Sequence, residues 1–228
     1  MDRILEPEIM DDRPQAIAYA QADFRDSNRR FIDSLIHSYP QYLRHILDLG
    51  CGPGDIALEL ARSLPECQVT ALDASAPMVE LAQARLTAAA LGDRVTLLQG
   101  QLPHWPSADF RTQPAFSALI SKDMLHHLPQ PHSLWSSLLH LRHSGHTTTP
   151  VAVSVMDLRR PPSPAAAQAI VAAIAPTAPD ILQRDFYNSL CAAFTVGEVQ
   201  QQLRDAGLSS LEVVLLGDRH LWVRGVLF

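Results

Sequence analysis

Strand-like and helix-like segments alternate along this 228-residue chain, and that alternation predicts an α/β fold on a mainly parallel sheet. Two further observations sharpen the expectation. A glycine-rich turn, Gly50-Cys51-Gly52-Pro53-Gly54, follows the first strand, and only Gly217-Asp218-Arg219 separates the last two. The first feature suits a doubly wound sheet with its ligand at the strand ends, and the second suits an antiparallel hairpin at a sheet edge. The expected architecture is seven strands, with helices on both faces.

Each element has a local cause. RHILDLG is an apolar strand ending at Gly50, and IALELARSL places Ile56, Leu60 and Leu64 on one helical stripe. QVTALD is a second strand ending at Asp73, and its helix opens at Ser75-Ala76-Pro77 and runs through Met78, Leu81 and Leu86. RVTLLQG and AFSALIS supply the third and fourth strands. PHSLWSSLLHLRHSG is a helix closed by Gly145, a residue that tolerates a left-handed cap. VAVSVMD is the fifth strand. Ser163 and Pro164 then form a helix start in a Pro- and Ala-rich stretch. Thr195 and Glu198 have capping-box spacing before VQQQLRDAGL, which Gly207 closes. LEVVLLG and HLWVRGVLF form the final hairpin. The chain reads as a single domain, 1–228, with a helical N-terminal lid over 1–43 and a helical insertion over 159–194 roofing the site.

Composition excludes several classes of function. The net charge is −6 and no Lys/Arg block exists, which argues against nucleic acid as a partner. No apolar run approaches the roughly 18–20 residues of a membrane span. The N-terminal MDRILEPEIMDD carries acids where a signal peptide carries bases, and Cys51, Cys67 and Cys191 form no CxxC pair. A cytoplasmic protein acting on a small molecule is expected, and its oligomeric state is left open. Six histidines lie between residues 126 and 146, but they contain no HExxH spacing, and no metal site is expected. Of 18 basic residues only Lys122 is lysine.

The segment ILDLGCGPGD carries the chemistry. Glycines at a strand-to-helix turn accept positive φ and let a ligand approach the backbone. The pattern is GxGxG rather than the dinucleotide GxGxxG, and Asp48 precedes it. An acid there repels a pyrophosphate and welcomes a cationic amino group. Asp73, ending the next strand, is placed to accept hydrogen bonds from ribose hydroxyls.

DLGCGPGD together with VTALDASAPMVELA resembles the class I S-adenosylmethionine-dependent methyltransferases. FSALISKDMLHHLPQPHSLW is similar to the fourth motif of their small-molecule members, and VAVSVMDLRRP and FTVGEVQQQLRDAGL follow in the expected order. The resemblance implies a Rossmann-like class I methyltransferase fold and S-adenosylmethionine as cofactor or sole substrate. It implies that Gly50, Gly52 and Gly54 face the methionine and ribose portions, Asp48 orients the amino end and Asp73 holds the ribose. It places Ala74 and Met78 against the adenine, with Gln101 and the Leu102 backbone at the adenine amino group. Ser121 and Lys122 would border the methionine end.

Candidates for the chemistry fall in three places. One is the fourth motif, with Asp123, His126 and His127. Another is the polar and aromatic run after the insertion, with Tyr187 and Asn188. The third is the N-terminal helix IAYAQADF, with Tyr19, Asp23 and Phe24. Transfer of the methyl group to a small-molecule acceptor is the leading expectation. MDRILEPEIMDD and DFYNSLCAAF also resemble methyltransferase-like proteins of bacterial secondary metabolism. Some of these cyclise S-adenosylmethionine to azetidine-2-carboxylate and release methylthioadenosine. A non-catalytic binding protein is the third alternative.

Overall fold

The computed structural model describes residues 1–6, 9–103 and 113–228; Pro7 and Glu8 of the expected lid lie outside the described residues. Seven strands form one sheet in the order β3-β2-β1-β4-β5-β7-β6. They are β1 His45–Leu49, β2 Gln68–Asp73, β3 Val95–Gln99, β4 Phe116–Lys122, β5 Thr147–Leu158, β6 Glu212–Leu216 and β7 His220–Leu227. Pairing is parallel from β3 through β5, and β7 runs antiparallel to both β5 and β6. The sheet and its final hairpin are as the sequence predicts.

The order explains where a ligand can bind. Chain progression reverses between β1 and β4, and the crevice beyond the carboxyl ends of strands at such a switch point is open to a ligand. β1 is buried at every position because helices cover both of its faces. On one face α2 (Arg25–Ser38) inserts Phe31, Ile32 and Leu35, each worth roughly 1.5–3 kcal/mol when fully buried. α3 (Asp55–Ser63) adds Ile56, Ala57 and Leu60 to the same cluster. On the other face α5 (His132–His143) brings Leu134, Trp135, Leu138 and Leu141, beside Val199 and Leu203 of α8 (Val196–Asp205).

Helix starts coincide with the capping residues. Ser75 accepts the Met78 N–H ahead of α4 (Ala76–Ala89), and Ser163 accepts the Ala166 N–H ahead of α6 (Pro164–Ile174). Both halves of the Thr195–Glu198 capping box are formed. Two segments differ from the sequence reading. The N-terminal helix α1 (Arg13–Gln21) stops before Asp23, whose carboxylate accepts the Arg25 N–H and turns the chain into α2. The 159–194 insertion is two helices, α6 and α7 (Asp180–Ala192), sharing a small apolar cluster of Leu158, Ala167, Val171 and Leu190.

Candidate active site

The turn after β1 is held by backbone. The Gly50 and Cys51 N–H groups donate to the Leu72 carbonyl at 2.8 and 3.0 Å, and the Gly52 N–H donates to Asp73 Oδ2 at 2.7 Å. Asp73 Oδ1 accepts the Ser75 N–H at 2.9 Å. One carboxylate thus ties the glycine loop to the start of α4. Gly50 adopts φ +74°, and a Cβ on it would collide with the Cβ and Cγ of Met124, so only glycine fits.

A cavity opens above this turn. Asp48, Gly50, Gly52, Asp73, Ala74 and Met78 line it, together with Gln101, Leu102, Lys122 and Asp123. Of the expected cofactor residues, two do not line it. Gly54 is the N-cap of α3 at φ +84°, and a Cβ there would press on Ala82 at 3.2 Å, so it serves close packing of α3 on α4. Ser121 is fully buried and donates its hydroxyl to the Leu49 carbonyl at 2.7 Å.

The chain's N-terminal segment lines the same cavity. Ile9, Met10, Tyr19, Phe24 and Asn28 line the cavity, with the Tyr19 and Phe24 rings 4.7 Å apart. Several contacts pin this segment down. Ser75 Oγ donates to the Met10 carbonyl at 2.7 Å, and Arg85 bonds the Ala20 carbonyl, the Pro53 carbonyl and Asp55. Arg3 donates to the carbonyls of Ala192, His126 and Leu128 and lies 3.9 Å over the Phe194 ring.

The insertion does not roof the cavity. Among the described residues none of 159–194 lines it; α7 packs behind, against α1 and the turn at Leu125–His127. Tyr187 and Asn188 are therefore not brought to the cavity. Tyr187 packs on the α6–α7 cluster and borders a separate shallow hollow with Gln183 and Val171, while Asn188 is exposed. Tyr19 and Asp123 are the expected catalytic residues that do reach the site.

The electrostatics are dominated by acids. Asp48 is 1% exposed and its Oδ2 has no hydrogen-bond partner. Burial, reinforced by Asp73 and only partly offset by Lys122, pushes its carboxyl up to about 7. Asp123 sits at φ +53°, a strained conformation for a residue with a side chain. It pairs with Lys122, its Oδ1 is buried without a hydrogen bond, and His220 Nε2 stands 3.8 Å away. Burial alone would raise the Asp123 carboxyl, but Lys122 and His220 bring it down to about 2. Burial and the surrounding carboxylates raise the Tyr19 phenol well above its ordinary value, so it stays protonated.

Beside the cavity lies a group that the sequence does not join. His126 Nδ1 meets Asp157 Oδ1 at 2.6 Å, and Glu6 approaches both His126 and His127. Desolvation disfavours the His126 imidazolium, yet Asp157 and Glu6 outweigh it and push the pKa up to about 9. Met10, Asn28, Met124 and Glu6 have no local sequence signal; their roles arise only when distant segments meet.

Residues 46–145 match the methyltransferase-domain family. A trans-aconitate 2-methyltransferase of Mycobacterium ulcerans is 32% identical over 127 residues, covering 54% of this chain and 43% of that protein. The chain spans less than half the length of the first curated relatives it matches. Among solved structures, a SAM-dependent methyltransferase from Aquifex aeolicus superposes with a TM-score of 0.64 at 15% identity, covering 94% of this chain and 98% of that one. The plantazolicin methyltransferase BpumL, in complex with a pentazolic desmethylPZN analog and SAH, gives 0.68 at 14% identity over 95% and 91%. Residues 46–145 thus carry a methyltransferase-domain match, and the fold of the chain is that of the class I S-adenosylmethionine-dependent methyltransferases. S-Adenosylmethionine is the cofactor of that class. The cavity fits it: the unpartnered Asp48 oxygen suits its ammonium, Asp73 has lone pairs for its ribose, and the Gly50 turn leaves room for close backbone approach.

Proposed function

We propose that the protein transfers the sulfonium methyl group of S-adenosylmethionine to a small-molecule acceptor in the cytoplasm. The observation that carries this reading is the cavity itself, where the glycine turn, Asp48 and Asp73 face Tyr19, Phe24 and the Lys122–Asp123 pair. The bound cofactor supplies an already activated methyl group, so the protein's task is to position a nucleophile in line and exclude water. Asp48 holds the amino end and Asp73 the ribose. The Tyr19 and Phe24 faces, with carboxylates around them, favour a cation in the cavity. Tyr19 remains a hydrogen-bond donor, and ionised Asp123 orients an acceptor O–H or N–H through its free Oδ1. The acidic net charge favours a small molecule over nucleic acid. The trans-aconitate 2-methyltransferase named above has a small carboxylic acid in its name.

Asp48 favours a second reading. A buried carboxyl with pKa near 7, placed at the amino end, is suited to take a proton from the cofactor's α-ammonium. The freed amine would attack the γ-carbon as the Cγ–S bond breaks, giving azetidine-2-carboxylate and methylthioadenosine. Incubating the protein with S-adenosylmethionine alone and analysing products by mass spectrometry separates the two. Unchanged cofactor, followed by S-adenosylhomocysteine formation once a small carboxylic or hydroxyl acceptor is added, supports methyl transfer. Methylthioadenosine with a cyclic four-carbon amino acid overturns it in favour of cyclisation.

A further inference from the structure

We propose that Glu6, His126 and His127 form a binding site for one divalent transition-metal ion at the edge of the cofactor cavity. Glu6 Oε1 lies 3.4 Å from His126 Nε2 and 3.3 Å from His127 Nδ1, and the three ligand atoms fall within 4.8 Å of one another. Those separations are long for charge-assisted hydrogen bonds, which run about 2.7–2.9 Å. The two Glu6 separations match edges of a tetrahedron around an ion, where metal–ligand bonds of about 2.0–2.1 Å give ligand–ligand distances of about 3.3–3.4 Å, and the His126–His127 edge closes on metal binding by a small turn of the His127 ring. The Glu6 side chain is 9% exposed, and Oε1 accepts no hydrogen bond. Without an ion, Glu6 is met by the His126 imidazolium at 3.4 Å and by the Ser189 hydroxyl, which donates to Oε2 at 3.3 Å; an ion replacing the Nε2 proton would give Oε1 a direct bond.

The surroundings suit an ion as well. His126 Nδ1 is 2.6 Å from Asp157 Oδ1, and Asp157 is 2% exposed. A proton held on Nδ1 and donated to Asp157 leaves the Nε2 lone pair directed toward Glu6, the arrangement by which an outer carboxylate orients a metal-binding imidazole. An ion at Nε2 takes the place of a proton there. Two nitrogens and one carboxylate oxygen suit zinc, iron(II) or cobalt(II) better than magnesium or calcium. Nor is Glu6 required merely to dock the N-terminal strap, because Arg3 already anchors it through three carbonyls. Since His127 lies in the cavity wall, the ion would join the strap to the turn after β4 beside the site. The inference is independent of which reaction the cavity performs.

The test uses the full, tag-free chain, stripped with a chelator and titrated with Zn²⁺ by calorimetry, with the visible spectrum of bound Co²⁺ as a second readout. One equivalent should bind, with affinity reduced at least about 10-fold in Glu6→Gln and in His127→Ala, and by about 10-fold or more in the outer-carboxylate variant Asp157→Asn. His127 is the most exposed of the three, so His127→Ala keeps the test meaningful if Glu6→Gln fails to fold. No binding by the wild-type chain overturns the proposal. So does binding undiminished in both Glu6→Gln and His127→Ala; either result leaves the cluster as a buried Glu6–His126–Asp157 ion triad.

Discussion

Asp48→Asn isolates the energetic tension built into the cavity. Asp48 stands on the central strand β1, 1% exposed, with Oδ2 unpartnered and Asp73 nearby. Its carboxyl is pushed from 3.8 to about 7 in the folded protein. A folded-state pKa above the unfolded value means the fold binds the proton more tightly. The associated stability is therefore full below pH 4 and is lost as pH rises toward 7. A shift of about 3 units at about 1.36 kcal/mol each gives a loss of about 4 kcal/mol by pH 8. Asparagine has nearly the same shape and no charge to desolvate. In urea denaturation of the cofactor-free protein, Asp48→Asn should match the wild type below about pH 4 and exceed it by about 2–4 kcal/mol at pH 8. On the proposed function the same change weakens S-adenosylmethionine binding, because the carboxylate that burdens the empty fold is the one that meets the ammonium. A variant no more stable than wild type at pH 8, with an unchanged pH slope, would refute the reasoning and mean that Asp48 is ionised at no cost.

Five further substitutions test the site. Gly50→Ala should destabilise the protein by about 2–4 kcal/mol, combining positive φ with the collision at Met124. Gly52→Ala, where no atom lies within 4 Å, should cost only the backbone part, about 1–2 kcal/mol; equal melting temperatures for the two variants would count against the Met124 contact. Asp73→Ala should weaken cofactor binding by about 1–3 kcal/mol in calorimetry, and unchanged affinity would remove it from the ribose. Tyr19→Phe should lower turnover while cofactor affinity is nearly kept, whereas Tyr187→Phe should leave both unchanged; the reverse outcome would place α7 in the site after all.

What the sequence made legible is what local chemistry determines. Asp48, Gly50, Gly52 and Asp73 occupy a strand–turn–helix–strand unit whose geometry follows from glycine φ values and strand ends, so their convergence could be read before any packing was known. Ser75, Ser163 and Thr195 marked helix starts for the same reason. Tyr187 was misleading because a polar-aromatic run has the same composition whether it faces a ligand or a neighbouring helix, and the packing of α6 against α7 decides which. Periodicity continued one helix through Asp23 and Phe24, but the Asp23 carboxylate competes for the Arg25 N–H and breaks it. Even so, the turn carries Phe24 back onto Tyr19. Glu6 could not have been found, since nothing near it in the chain signals the histidines it meets.

The balance of charge in the cavity argues for the class of ligand independently of any motif. Among the described residues its wall carries four carboxylates, Asp48, Asp55, Asp73 and Asp123, against the single ammonium of Lys122. Lys122 is paired with Asp123 Oδ2 and Asp55 with Arg85, which leaves Asp48, Asp73 and Asp123 Oδ1 to face whatever binds. In a partly closed, low-dielectric space such a surplus repels phosphates and concentrates cations. The same charges disfavour a dinucleotide's pyrophosphate and suit the ammonium, sulfonium and neutral ribose of S-adenosylmethionine. The N-terminal segment strengthens the discrimination: Met10, Tyr19 and Phe24 line the cavity with the acids and lower the effective dielectric around them.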